Sequence, residues 1–208
     1  MRVTLTHRHE DGAHLAALLC HFGPGWRMIS SAPLGGGIGP RHWVLNAQVV
    51  PHYSRMDPAA HLTEISPPGP GVGMLTAAHV PAYTHATDHD TTALATVGLR
   101  IPTWAAAPAG TVDPELQPGT INIIATLPVP LTDAALVNTV ITITEAKTQA
   151  LLESGYPGTG TASDAICVAA PTHGSPESFG GPRSRWGSRL ARATHNAIHQ
   201  GIRKWEMS

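Results

Sequence analysis

Between Gly119 and Ala170 the sequence GTINIIATLPVPLTDAALVNTVITITEAKTQALLESGYPGTGTASDAICVAA places Thr144, Glu145, Lys147 and Thr148 in one short run, followed by the turn Gly158-Thr159-Gly160-Thr161-Ala162-Ser163-Asp164. A threonine hydroxyl or an activated water can cleave an amide when a carboxylate takes its proton and a cation or an amide holds the developing oxyanion. Glu145 and Asp164 supply carboxylates, Thr144, Thr148 and Thr161 hydroxyls, and Lys147 a cation. On a helix Thr144, Lys147 and Thr148 share a face, whereas Glu145 is turned by about 100° from Thr144, so the whole set does not converge. Ordinary solvation of Glu145 and Lys147 is the competing reading, because charged residues are mostly exposed. Other nucleophiles have less support: G-x-S-x-G is absent, and Cys20 and Cys167 carry no local signature of a thiol hydrolase.

A second constellation is the glycine run Pro33-Leu34-Gly35-Gly36-Gly37-Ile38-Gly39-Pro40. It does not complete G-x-G-x-x-G and lacks a following Gly-Lys-Ser/Thr, so nucleotide binding is weakly indicated. Close backbone approach to a large flat ligand and a tight strand connection are the two readings left open. Histidines His7 and His9, His85 and His89, and His195 and His199 invite a metal. The last pair lacks the glutamate of H-E-x-x-H, and only His85, Asp88 and His89 form a loop cluster with ligand character; no metal site is assigned.

The elements that must carry these groups follow from periodicity and breakers. Gly119–Leu127 is apolar and β-branched after Pro118-Gly119 and predicts a buried strand. Asp133 caps a helix running to Ser154 and stopped by Gly155, and Ile166–Ala170 predicts a further strand. Upstream, Leu15, Leu18, Leu19 and Phe22 predict an amphipathic helix over His9–Phe22, and Trp26–Ala32 a strand. Trp43–Val50 predicts a strand with Val44, Asn46, Gln48 and Val50 on one face. Asp57-Pro58 opens a turn or a capped helix. Val72–Val80 and Ala93–Ile101 predict central strands joined as a hairpin through Tyr83–Thr92, and Pro102–Pro118 a loop or substrate-facing insertion. Ser184 caps a C-terminal helix with Trp186, Leu190, Ala193, Ala197, Ile198 and Trp205 on one stripe.

With 208 residues, one domain is expected. A formal charge of −1 with 13% charged residues leaves no footprint for nucleic acid or an anionic membrane. Neither a signal peptide nor a run of about 18 apolar residues is found, so a cytoplasmic protein without a membrane span is expected. Two distant cysteines in apolar surroundings suit buried thiols in a reducing compartment rather than a disulfide.

Taken in order, PLGGGIG (33–39), WVLNAQV (43–49), DP (57–58), GVGMLTAAHV (71–80), ATVGL (95–99), GTINIIA (119–125), TEAKTQAL (144–151), GTGTASDAI (158–166) and FGGPRSRWG (179–187) resemble the adenosylcobinamide amidohydrolase family of cobinamide salvage, over most of residues 26–200. The resemblance implies one domain over residues 1–208 that hydrolyses the amide between the aminopropanol arm and the corrin ring of adenosylcobinamide. The products would be adenosylcobyric acid and aminopropanol or its phosphate, a step in corrinoid salvage and cobamide remodelling. It implies no cofactor, the cobalt belonging to the corrinoid substrate, no nucleic-acid or membrane partner, and leaves a homo-oligomer open. Carried over position by position, it points to Thr144, Glu145, Lys147 and Asp164 as catalytic, with Gly36, Gly37, Asn46, Gln48, Asp57, Thr76, Asn122 and Thr161 at the substrate. In that scheme Glu145 or Asp164 activates water or a threonine hydroxyl, while Lys147 and Asn46 hold the oxyanion. A fainter likeness of GTINIIA and GVGM to the D-aminopeptidase and ornithine acetyltransferase class implies an α/β fold with mixed sheets sandwiched by helices. The alternatives are a corrinoid-carrying module without hydrolysis and a self-processing threonine-nucleophile peptidase or acyltransferase.

Overall fold

Asp11-Gly12 decides how the chain begins. Their φ angles, 51° and 72°, form the left-handed pair of a two-residue hairpin turn, a conformation that Asp-Gly adopts with little strain. The turn joins β1 (Arg2–Glu10) to β2 (Ala13–His21), paired antiparallel from Arg2↔His21 to Glu10↔Ala13. The helix expected over His9–Phe22 is thus corrected to a hairpin. Leu15 to Leu18 are continuously buried because β2 is covered on both faces, and a strand of that kind imitates helical spacing.

The structure, a computed structural model, describes residues 1–111 and 119–207. After the hairpin come β3 (Trp26–Ser30), β4 (Gly37–Pro40), β5 (Trp43–Gln48), α1 (Pro58–Ile65), β6 (Gly71–Thr76), β7 (Thr84–Asp88) and β8 (Thr91–Gly98). The chain then forms β9 (Thr120–Thr126), α2 (Asp133–Glu153), β10 (Ala165–Pro171) and α3 (Arg185–Glu206). One sheet has the order β1-β2-β5-β6 and the other β4-β3-β10-β9-β8-β7; both are mixed, β5 with β6 and β9 with β10 being the parallel pairs.

Three apolar clusters bind four layers of structure, two of them β-sheets, together. Leu18, Cys20, Val44, Met74, Leu94, Ile124 and Cys167 fill the space between the two β-sheets. Ile121, Ile123 and Val168 face the other way, onto Leu136, Ile143, Leu190 and Ile198 of α2 and α3. Leu45 and Leu62 belong to the smaller cluster that seats α1 on the outside of the four-stranded sheet. The result is the mixed α/β sandwich implied by the fainter likeness, in the order helix, sheet, sheet, helices.

Several local expectations need correction. β6 and β8 lie in different sheets; β8 forms its hairpin with β7, within the segment taken as a connection, around His89 at φ 53°. The glycine run contains β4, whose residues pair with β3. Thr132, not Asp133, caps α2: its Oγ1 accepts from Ala135 N at 3.2 Å, and Asp133 pairs with Arg27 instead. Asp57 occupies the N-cap position of α1 without a capping bond. Of the loop expected over Pro102–Pro118, the part 112–118 lies outside the described residues. Among the described residues no helix is long and apolar enough to cross a membrane.

Candidate active site

Period-two alternation makes the two sheets meet through polar groups at one end. On β9, Ile121 and Ile123 go to the helices, so Asn122 between them faces the other sheet; on β5 Asn46 faces inward beside Val44 for the same reason. The two amides bond across the gap. Asn122 Nδ2 donates to Asn46 Oδ1 at 2.8 Å and to Leu75 O at 2.9 Å, and its Oδ1 accepts from Ala165 N at 3.2 Å. Asn46 Nδ2 donates to Thr96 Oγ1 at 2.9 Å. Both side chains are 1% exposed, and their full set of partners makes that burial tolerable.

Beside this clamp opens a cleft of about 250 Å³ lined by Val49, Tyr53, Leu75, Thr76, Thr120 and Ser163, among others. Its hydroxyls are oriented. Ser163 Oγ donates to Gly119 O at 3.1 Å, so the 2.9 Å contact between Thr120 and Ser163 has Thr120 as donor, and the lone pairs of Thr120 Oγ1 are left to accept. Thr76 Oγ1 accepts from Ala78 N at 3.0 Å, a bond that does not use its own proton.

Asp164 shapes the wall that carries Ser163. Its Oδ1 accepts from Ile121 N at 2.9 Å and Thr161 Oγ1 at 2.5 Å, its Oδ2 from Thr161 N at 3.2 Å, and Lys147 Nζ pairs with Oδ2. Side-chain exposures of 7% for Lys147 and 11% for Asp164 make this a buried pair. Gly160 permits it: a Cβ there would lie 2.4 Å from both Asp164 Oδ2 and Lys147 Nζ. Thr148 Oγ1 ties α2 to the same turn through Thr159 O at 3.1 Å.

A further chain of groups reaches the cleft from the other side. Pro51 and His52 turn the chain so that Tyr53 N bonds Val50 O at 3.0 Å, bringing Tyr53 to the cleft. Its hydroxyl is 2.9 Å from His61 Nδ1, on the buried side of α1. Glu10 Oε1 lies 2.6 Å from His61 Nε2, without the alignment of a hydrogen bond. Glu10 Oε2 takes Arg8 Nε at 2.5 Å, and Arg8 reaches Gln48 O at 2.7 Å. Burial pushes the Tyr53 phenol above its ordinary pKa, with Arg55 opposing and Asp57 and Glu10 adding to the rise. Tyr53, His61, Glu10 and Arg8 were not singled out from sequence; the available signal was Asp11-Gly12, which as a hairpin turn would have placed Glu10 at a strand end.

Among the residues selected from sequence, the structure brings Lys147, Asp164 and Thr161 together, and Asn46 with Asn122; Thr76 lines the cleft. Gln48 Oε1 accepts from Val80 N at 3.3 Å. The others lie apart. Thr144 is exposed and donates to Val140 O at 2.9 Å. Glu145 opens onto a separate depression between α2 and α3 with Asp88, Gln149, Arg192 and His195. Asp57 is exposed and held by Arg55, which keeps its carboxyl below the usual range. Gly36 and Gly37 are exposed, and the closest approach in the glycine run is at Gly35, where a Cβ would meet Gly71 O at 1.9 Å: the tightness serves contact with β6.

Cys20 and Cys167 are free and buried between the sheets, where burial raises Cys20 to about 12 and Cys167 still further, leaving both as neutral thiols. Among the described residues no three His, Cys, Asp or Glu converge as a metal site. His89 and Asp88 are in contact at 2.6 Å, with Arg192 on the same carboxylate.

The family model described as adenosylcobinamide amidohydrolase matches residues 2–208. An adenosylcobinamide amidohydrolase of Methanosarcina mazei is 30% identical over 185 residues, covering 83% of this chain and 88% of that protein. One from Halobacterium salinarum is 37% identical over 87 residues, 41% of this chain and 35% of its own length. An uncharacterised protein of Methanocaldococcus jannaschii is 34% identical over 103 residues, 46% of this chain and 40% of its own.

Proposed function

Because the chain belongs to the adenosylcobinamide amidohydrolase family, we propose that it hydrolyses the amide between the aminopropanol arm and the corrin ring of adenosylcobinamide, giving adenosylcobyric acid and aminopropanol or its phosphate. The observation that carries this reading is the cleft at the junction of the sheets, where a free hydroxyl proton and free hydroxyl lone pairs face one small space. Thr76 donates to the amide carbonyl oxygen and holds it as charge develops, while Thr120 Oγ1 accepts from the amide N–H. A volume of about 250 Å³ suits the arm and its amide, with the macrocycle and its cobalt lying outside the mouth.

Within this proposal the residues taken from the sequence divide by task. Asp164 already serves four donors, and with Lys147 and Thr161 it holds the turn that presents Ser163. Asn46 and Asn122 keep the two walls at a fixed separation. Glu145 and Thr144 are placed outside the reaction, since the depression beside Glu145 is a different one. The test is incubation of the purified protein with adenosylcobinamide and chromatographic search for adenosylcobyric acid. Product is expected, and at least tenfold less of it from Thr76→Val; its absence with the wild type would refute the function.

A further inference from the structure

We propose that Tyr53 is the proton-transferring residue of the cleft, with His61 and Glu10 as the positioning residues behind it. This rests on the reading of the cleft as the site of amide hydrolysis.

His61 is 1% exposed, so no substrate or water reaches its ring directly. Its Nδ1 meets a hydroxyl at 2.9 Å, and that hydroxyl belongs to a residue lining the cleft. On its far side the Glu10 carboxylate lies 2.6 Å from Nε2, out of line for a hydrogen bond, and its charge favours a proton on that nitrogen. Nδ1 is then the acceptor and Tyr53 the donor, so the phenol oxygen presents lone pairs rather than its proton to the cleft. A base, an imidazole and a carboxylate in this order form the arrangement that activates a hydroxyl for proton transfer.

Of the three, Tyr53 lines the cleft, and His61 and Glu10 stand behind it. Here the elements involved are far apart in sequence: Glu10 ends β1, Tyr53 follows the turn after β5, and His61 sits on α1. The Glu10 carboxylate is also steadied by Arg8, whose guanidinium reaches the Gln48 carbonyl at the end of β5, so the first strand is anchored to the cleft wall. Burial raises the phenol above its ordinary range, so it gives up its proton only as its oxygen takes one from the attacking water.

The reaction balances in two halves. As water attacks the amide carbon, one water proton passes to Tyr53 Oη while the phenol proton moves to His61 Nδ1, leaving an imidazolium opposite Glu10. When the C–N bond breaks, His61 returns its proton to Tyr53 Oη, and Tyr53 passes one to the leaving nitrogen. The amide and one water become a carboxylic acid and a free amine, with the enzyme restored.

Wild type, Tyr53→Phe, Glu10→Gln and His61→Gln are to be compared on adenosylcobinamide across pH, with circular dichroism confirming the fold. Tyr53→Phe is expected to lose about 10²-fold in kcat with KM changed less than about threefold, the scale of a lost proton-transfer group. Glu10→Gln is expected to lose about tenfold and to move the limb of the kcat–pH profile that reports the imidazole. A Tyr53→Phe enzyme within about threefold of wild-type kcat overturns the relay while leaving the amidohydrolase reading intact. Independently of turnover, nitrogen NMR of histidine-labelled protein should show His61 protonated at Nε2 and bare at Nδ1, with Nδ1 shifting in Tyr53→Phe. A proton resident on Nδ1 overturns the relay whatever the substrate is, and leaves the proposed function untouched.

Discussion

Behind the walls of the cleft lie Asp164, Lys147, His61 and Glu10, and Asp88, Glu145, Arg192 and His195 line the depression between α2 and α3, but the two regions treat the same side-chain types in opposite ways. At the cleft, Asn46, Asn122 and Lys147 are buried, each with partners drawn from other elements, so removing one strands several groups away from water. In the depression, Arg192, His195 and Glu145 sit where solvent can replace any partner. Polar composition alone does not distinguish a site; the number of partners a group would orphan does.

The sharpest way to break this contrast is Lys147→Met. It leaves the Asp164 carboxylate buried without its cation and should cost about 3–5 kcal/mol in urea unfolding. Adding Asp164→Leu should restore only part of that, because Ile121 N and Thr161 N then lose their acceptor as well. A cost below about 1 kcal/mol for the single change would mean that water reaches the pair. Asn122→Ala comes next: Asn46 Oδ1, Leu75 O and Ala165 N lose a partner together, for about 3 kcal/mol by the same measurement. On the other side of α2, Glu145→Gln should change neither stability by more than about 0.5 kcal/mol nor turnover by more than about twofold. A hundredfold loss of turnover there would return Glu145 to the reaction and relocate the site.

Much of this arrangement was legible in the chain. Alternation on Trp43–Val50 put Asn46 and Gln48 on one face, and the apolar run around Asn122 marked a strand buried on both sides; their meeting follows once two sheets are stacked. Asp164 stood out as the one carboxylate in a glycine and hydroxyl turn, and Lys147 as its near neighbour on the helix. Glu145, next to Thr144 in sequence, opens onto a different depression from the cleft because adjacent residues diverge on a helix. The Tyr53, His61 and Glu10 chain was not legible, since its members come from a loop, a short helix and a strand end that only the packing of α1 and the first hairpin brings together. The hairpin itself was hidden by a buried strand with leucines at helix-like spacing, although Asp11-Gly12 held the necessary turn.

The smallest expected effect tests the solvent-exposed half of the comparison through pH. Arg192, and after it His89, hold the Asp88 carboxyl below its ordinary 3.8. A carboxylate depressed in the folded state stabilises above its unfolded pKa, and that contribution is lost as pH falls through the folded value. Arg192 is 56% exposed, so solvent screens the pair. Urea unfolding of wild type and Arg192→Met should therefore differ at pH 7 by far less than the Lys147→Met change costs, with the gap narrowing as pH is lowered from about 5 to 3. A gap at pH 7 as large as that of Lys147→Met would show Asp88 stranded by the change, as Asp164 is by loss of Lys147. The two regions would then differ in chemistry but not in how deeply the fold depends on them.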